Sequence, residues 1–238
     1  MIQSVVSAPA APLSAAFHQP ASGPGNGSAI DLLRGKLASF TRTHLRAAGE
    51  RRLFTRLAVI DQHLPWRGLP RHGLHELTGE IGAITSFLAA LLGQDRKARE
   101  VLWIAPAQQQ LYAPALARLG LAHDRLTLAH TRRAEDRLYA FEDALRDLGY
   151  GAVVAEIDQA DLAETRRLHL AAEQGGSTGF LIRRDHKAPS AALTRWQIEA
   201  GDGLRPCWRI SLLRCLNGQP ANWLVEWDVM AGGFRLAA

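Results

Sequence analysis

Residues 74–93 read LHELTGEIGAITSFLAALLG, and this stretch decides the class of fold. After the turn-rich segment at 64–73, residues 74–78 predict a short strand, Gly79 to Gly82 predict a tight glycine-containing connection, and 85–92 predict an apolar helix that ends at Gly93. A strand, a glycine loop and a helix in this order present backbone N–H groups and a helix N-terminus to an anion. The stretch therefore predicts an α/β fold with a loop of the phosphate-binding kind.

The alternation of strands and helices continues downstream. Strands are predicted at 101–105, 126–129, 152–157 and 178–182, and helices at 111–119, 134–148 and 162–174. This alternation predicts right-handed crossovers and a mostly parallel sheet covered by helices on both faces. Three further extended stretches, at 194–199, 207–213 and 223–229, have no helix between them, and Asn217-Gly218 is a strong turn signal. Antiparallel strands are therefore expected at one edge of the sheet.

Composition excludes several classes of protein. The chain has 238 residues, 47% hydrophobic and 21% charged, which argues against wholesale disorder, collagen and coiled coils. No apolar run approaches the roughly 20 residues that cross a bilayer. Two cysteines, Cys207 and Cys215, are too few for a disulfide scaffold or a four-cysteine zinc site, and are expected to be small core residues. A cytoplasmic protein without a membrane span is the expectation.

The N-terminal part differs from the rest. Ala, Pro, Ser and Gly fill 18 of the first 28 positions, which predicts a flexible tail. Between Arg34 and Arg56 there are seven Lys or Arg and one acid, a local charge of +6, on a segment with apolar residues at helical spacing. Its basic face suits a DNA backbone, an acidic partner or simply solvent. The predicted organisation is a flexible tail at 1–28, a basic helical segment at 29–60, an α/β core at 61–190 and an antiparallel extension at 191–238.

The glycine connection departs from a working phosphate loop. In the pattern GxxxxGK[ST] starting at Gly79, the second glycine falls on Ile84, the lysine on Thr85 and the hydroxyl on Ser86. Without the lysine, no positive charge at this position stabilises the transferring phosphoryl group. Such enzymes depend on that stabilisation. We therefore predict a vestigial phosphate loop at Gly79, Gly82, Thr85 and Ser86, with no catalytic residue and no cofactor, while nucleotide binding without hydrolysis stays open.

Metal sites are not predicted. None of the nine histidines has His-x-x-x-His or His-Glu-x-x-His spacing. His72, His75 and Glu76 lie beside a predicted turn and are interpreted as surface and cap residues rather than metal ligands. Four of the six tryptophans lie after residue 195, where cross-strand core packing is favoured over stacking on nucleic-acid bases.

Several ordered matches carry a resemblance to known families over roughly residues 60 to 238. The core resembles that of the RecA recombinase superfamily, and the chain more closely resembles the ImuA family, the SulA-related proteins of bacterial translesion-synthesis cassettes. The matching residues are Leu69-Pro70-Arg71, His75-Glu76-Leu77-Thr78-Gly79-Glu80, Val101-Leu102-Trp103-Ile104, Leu111-Tyr112-Ala113-Pro114-Ala115-Leu116, Leu119-Gly120, Glu142-Asp143-Ala144-Leu145-Arg146, Val153-Val154, 166–173 and Thr194-Arg195-Trp196.

The resemblance implies a RecA-like core with a degenerate phosphate loop. In RecA-like ATPases a glutamate follows the second core strand, but here that strand leads into Ala105, Pro106, Ala107 and Gln108. The acid ending a later strand is Glu156, where the family has aspartate. The place where RecA-like folds put a DNA-binding loop corresponds to Arg183, Arg184 and Lys187, with Arg195 completing it.

The resemblance also implies a function. An ImuA-type protein is expected to be a non-catalytic accessory protein of translesion synthesis in the SOS response. Its expected partners are an ImuB-type polymerase-like protein, RecA, indirectly an error-prone polymerase III α-type subunit, and single-stranded DNA. Two alternatives stay open: a SulA-type inhibitor that binds the division protein FtsZ, and a DNA-stimulated RecA-like ATPase.

Overall fold

A computed structural model describes residues 52–95, 100–184, 187–203 and 205–237. All of these lie in one compact unit, Leu45–Ala238. The predicted tail at 1–28, and the basic segment up to residue 51, lie outside the described residues. None of the helices in the described ranges is both long and apolar enough to cross a bilayer.

The described chain alternates strands and helices as far as β7 and then continues as strands. The strands are β1 (Arg52–Leu53), β2 (Leu69–Pro70), β3 (Gly73–Gly79), β4 (Glu100–Pro106), β5 (Leu126–Thr131), β6 (Tyr150–Glu156), β7 (Thr178–Ile182), β8 (Thr194–Ala200), β9 (Cys207–Cys215), β10 (Ala221–Asp228) and β11 (Gly233–Leu236). The α-helices are α1 (Ala58–His63), α2 (Ile81–Gly93), α3 (Ala113–Arg118), α4 (Ala134–Arg146) and α5 (Leu162–Gly175), with a 3₁₀ turn at His123–Arg125.

One nine-stranded sheet organises these elements, in the order β11-β10-β9-β8-β3-β7-β6-β4-β5. Every pair from β8 to β5 is parallel, and every pair from β8 to β11 is antiparallel. The predicted mixed sheet with antiparallel C-terminal strands is confirmed. β8 joins the two parts of the sheet, because it pairs in parallel with β3 and antiparallel with β9.

Helices cover the two faces of the parallel part. On one face α2 contributes Phe87, Leu88 and Leu91 to a core that contains Trp103 and Trp208. On the other face α4 and α5 pack against the sheet through Phe141, Leu145 and Leu168. The late tryptophans pack in the core, as the sequence predicts: Trp196, Trp208 and Trp227 are buried in the first of these cores.

Residues 52–57, which precede α1 in the described part of the chain, are not helical. Residues Arg52 and Leu53 form β1, which pairs antiparallel with β2, and the helix begins only at Ala58. The buried Asp61 carboxylate explains the difference, because it accepts hydrogen bonds from the backbone N–H groups of Thr55 and Arg56. Those N–H groups are held in a turn, in which Arg56 has φ +62°.

Candidate functional site

The predicted phosphate loop is replaced by an abrupt strand-to-helix junction. Gly79 ends β3, Glu80 is the N-cap residue, and α2 begins at Ile81, so Gly82 already lies in the first helical turn. Gly79 has φ +117°, and a Cβ there would lie 2.2 Å from the Ile198 carbonyl oxygen on β8. The close approach of β8 therefore accounts for this glycine, and no connecting loop of several residues is left to surround a phosphate.

The two hydroxyl residues of the predicted loop lie on the second turn of α2. Thr85 is half-buried. The Ser86 hydroxyl donates a hydrogen bond of 2.8 Å to the Gly82 carbonyl oxygen. The Ser86 oxygen also accepts a hydrogen bond of 2.9 Å from the indole Nε1 of the buried Trp208 on β9. Ser86 thus connects α2 to the antiparallel strands.

Replacing Ser86 by alanine is expected to lower the free energy of unfolding by about 1–3 kcal/mol, because it leaves the Trp208 indole N–H buried without this acceptor. Denaturant unfolding followed by tryptophan fluorescence measures the change. Thr85→Ser on the same turn serves as a control that keeps the Trp208 bond. An S86A variant as stable as the wild type would show that the bond contributes nothing.

A buried ion cluster lies on the face of the sheet where α5 packs. Glu76, in the middle of β3, is fully buried, and its carboxylate accepts bonds from Arg183 Nη1 at 3.0 Å and from Arg195 Nε at 2.6 Å. Arg195 Nη2 also donates to the Ala188 carbonyl at 2.7 Å. Two guanidinium groups therefore share one carboxylate. Burial lowers the pKa of the nearby Arg214, and the positive charge of Arg195 lowers that pKa further.

This cluster corrects the interpretation of two predicted DNA-binding residues. Arg183 and Arg195 are 3% and 8% exposed, so their side chains are used inside the protein and offer no surface to a phosphate. The reason is topological, because the connection from β7 to β8 crosses over β3. On this crossing the Leu193 N–H donates to the Leu74 carbonyl. The arginines at the two ends of the connection then turn inward to Glu76.

The remaining two predicted DNA-binding residues are on the surface. Arg184 and Lys187 are both exposed on the β7–β8 crossover. Arg184 Nε lies 3.3 Å from the carboxylate of Asp158, and both side chains are well exposed, so water screens this pair. The structure therefore separates the predicted set into two structural arginines and two exposed cations.

Glu156 is the last residue of β6, at the carboxyl end of the strand. Its carboxylate accepts hydrogen bonds from Trp103 Nε1 at 3.2 Å and Gln109 Nε2 at 2.6 Å, and Arg137 Nε donates to its backbone carbonyl. Burial is the main effect on this carboxyl and raises its pKa. In the described part of the chain no group of three or more His, Cys, Asp or Glu side chains is placed to hold a metal ion.

His75 and Glu76 were interpreted from the sequence as surface or cap residues, and this is wrong. Both are fully buried in β3. His75 Nε2 donates to the Pro70 carbonyl at 2.8 Å, and Nδ1 accepts from the Thr194 hydroxyl at 2.7 Å. The available signal was the position of both residues inside an apolar strand, which indicates buried polar groups that need partners.

Comparison with known proteins adds the family context. The chain is 35% identical over 213 residues to Protein ImuA of Caulobacter vibrioides, in two strains, an alignment that covers 75% of this chain and 86% of the relative. Among solved structures it is similar to SulA from Pseudomonas aeruginosa, with 23% identity and a TM-score of 0.42, over 47% of this chain and 98% of SulA. No protein-family model matches the sequence.

Proposed function

The chain belongs to the ImuA family, and from this premise we propose that it is a non-catalytic accessory protein of SOS-induced, error-prone translesion DNA synthesis in the cytoplasm. The family membership, at 35% identity over 75% of the chain, is the observation that carries the proposal. The function would then lie in binding partners and not in turnover of a substrate.

The junction of β3 and α2 supports the absence of catalysis. Only Glu80 separates the strand from the helix, and Thr85 stands where a phosphate loop has its lysine. Because Ser86 accepts the Trp208 indole bond and is within donor distance of the Gly82 carbonyl, its hydroxyl is already used in packing. A nucleotide phosphate would find neither the cation nor the surrounding backbone that phosphoryl transfer requires.

The proposed partners are an ImuB-type polymerase-like protein, RecA and, indirectly, an error-prone polymerase III α-type subunit. Affinity capture of the tagged full chain from cells with damaged DNA tests this proposal. Recovery of the ImuB-type protein together with RecA is the expected result. Recovery of neither would overturn it, and recovery of FtsZ with inhibition of its polymerisation would favour a division inhibitor instead.

Contact with single-stranded DNA is proposed at the exposed pair Arg184 and Lys187. The double variant R184A/K187A is expected to weaken binding of a labelled oligonucleotide and to reduce the salt dependence of that binding, because fewer counterions are released. Fluorescence anisotropy over a salt series measures both. The variant R118A/R166A removes two exposed arginines elsewhere. Equal effects of the two double variants would show that only net charge matters.

A further inference from the structure

β5 is an edge strand of the sheet that the structure describes. In the described ranges β5 is the last strand of the nine-stranded sheet and pairs only with β4. Its six residues are all half-exposed or exposed, whereas β4 is buried from Val101 to Ala105. Native edge strands are commonly protected by proline, lysine, a bulge or short length. β5 contains neither proline nor lysine, and its register with β4 is uninterrupted.

The hydrogen-bonding groups on this edge can be assigned. The Thr131 carbonyl accepts from Ala107 N–H, on the side of β4. Backbone groups of successive strand residues point alternately to the two sides of the strand. The N–H and C=O groups of Leu126, Leu128 and His130 therefore point outward, away from β4, where a further strand would bind them.

We propose that two copies of this chain pair through antiparallel β5 strands about a twofold axis at Leu128. In this register Leu128 faces the second copy's Leu128, and Leu126 faces the second copy's His130. Each of these facing residues exchanges both backbone hydrogen bonds with its counterpart, as antiparallel pairs with inward-facing groups do. The two sheets become one continuous sheet.

The side chains favour a second copy as the occupant of the edge. Leu128 is 37% exposed, and the twofold places two such leucines directly opposite each other on one face. The same register brings the 3₁₀ turn before β5, which carries the exposed Asp124, near the second copy's exposed Arg132, just after β5. The symmetry repeats this opposite-charge pair at both ends, so the surface is self-complementary, as a twofold interface requires.

A matched pair of variants tests the backbone contacts. Sedimentation equilibrium of the full wild-type chain is expected to show a dimer. His130→Pro removes an outward N–H without touching the ladder to β4, and is expected to raise the dimer dissociation constant at least about tenfold. His130→Ala loses the same side chain, including its contact with the Gln109 carbonyl, but keeps the N–H, and is expected to stay dimeric. Circular dichroism verifies that both variants fold.

A charge exchange tests the register and the identity of the occupant. Asp124→Arg and Arg132→Asp alone place like charges near each other and are expected to weaken the dimer by about tenfold each. The double variant D124R/R132D restores opposite charges and is expected to recover most of the lost affinity. A monomeric wild type, equal behaviour of the two His130 variants, or failure of this rescue would each overturn the proposal.

Discussion

Replacing Glu76 by glutamine is expected to lower the free energy of unfolding by about 3–5 kcal/mol, the usual cost of removing one partner from a buried ion cluster. Glutamine has nearly the same volume, so the change isolates the charge. It leaves Arg183 and Arg195 buried, with guanidinium groups that face a neutral amide in place of a carboxylate. Chemical denaturation of the wild type and the E76Q variant measures the difference.

Glu199→Gln is a matched control for this prediction. Glu199 lies on β8, and its carboxylate is 4.0 Å from Arg209 Nη1, with the glutamate half-exposed and the arginine exposed. Solvent screens such a pair, so its loss is expected to change stability by less than about 1 kcal/mol. Equal effects of E76Q and E199Q would show that the buried cluster does not stabilise the crossover.

The stability of the protein is expected to fall with acidification because of His75. Burial lowers the pKa of His75 to about 4, from an ordinary value of 6.5; the hydrogen bond to Pro70 opposes this shift and His169 adds to it. Between these two pH values the unfolded imidazole takes up a proton that the folded one does not. The free energy of unfolding should therefore decrease as the pH falls from about 6.5 to about 4, by roughly 3 kcal/mol in total.

Denaturant unfolding at a series of pH values measures this effect, and His75→Gln should remove it. Burial raises the pKa of both Asp61 and Glu156, which stabilises the folded state as the pH falls, so the comparison with H75Q isolates the histidine. His130→Gln, at an exposed histidine, is expected to keep the wild-type slope. Identical slopes for wild type and H75Q would contradict the assignment.

Local sequence patterns predicted most of the fold. The apolar runs that became β4, β6 and β7 are buried on both faces, and such runs are recognisable without knowledge of the neighbours. The short strand β11 was not predicted from the sequence. It carries only one buried apolar residue, Phe234, and a single residue shows no period. The β1 strand was predicted as helix because the turn at Arg56 depends on a carboxylate five residues further on.

The candidate site was harder to predict because its contacts are distant in sequence. Arg195 and Glu76 are 119 residues apart, and only the pairing of β8 beside β3 brings them together. The glycine at position 79 also depends on a contact distant in sequence. The β8 backbone, and not the local chain, leaves no room for a side chain there. Sequence reasoning identified Arg183 and Arg195 as notable cations, but it assigned to DNA the contacts that their side chains make with Glu76.

ATP turnover by the purified full chain with Mg²⁺, with and without single-stranded DNA, tests most directly whether this protein acts by binding and not by catalysis. The reference is the variant S86A/E156A, which alters both positions that a RecA-like site would use. We expect no hydrolysis above the rate of this variant in either condition. Hydrolysis at ordinary enzyme rates, stimulated by DNA and abolished in the variant, would instead show that the protein is a catalyst.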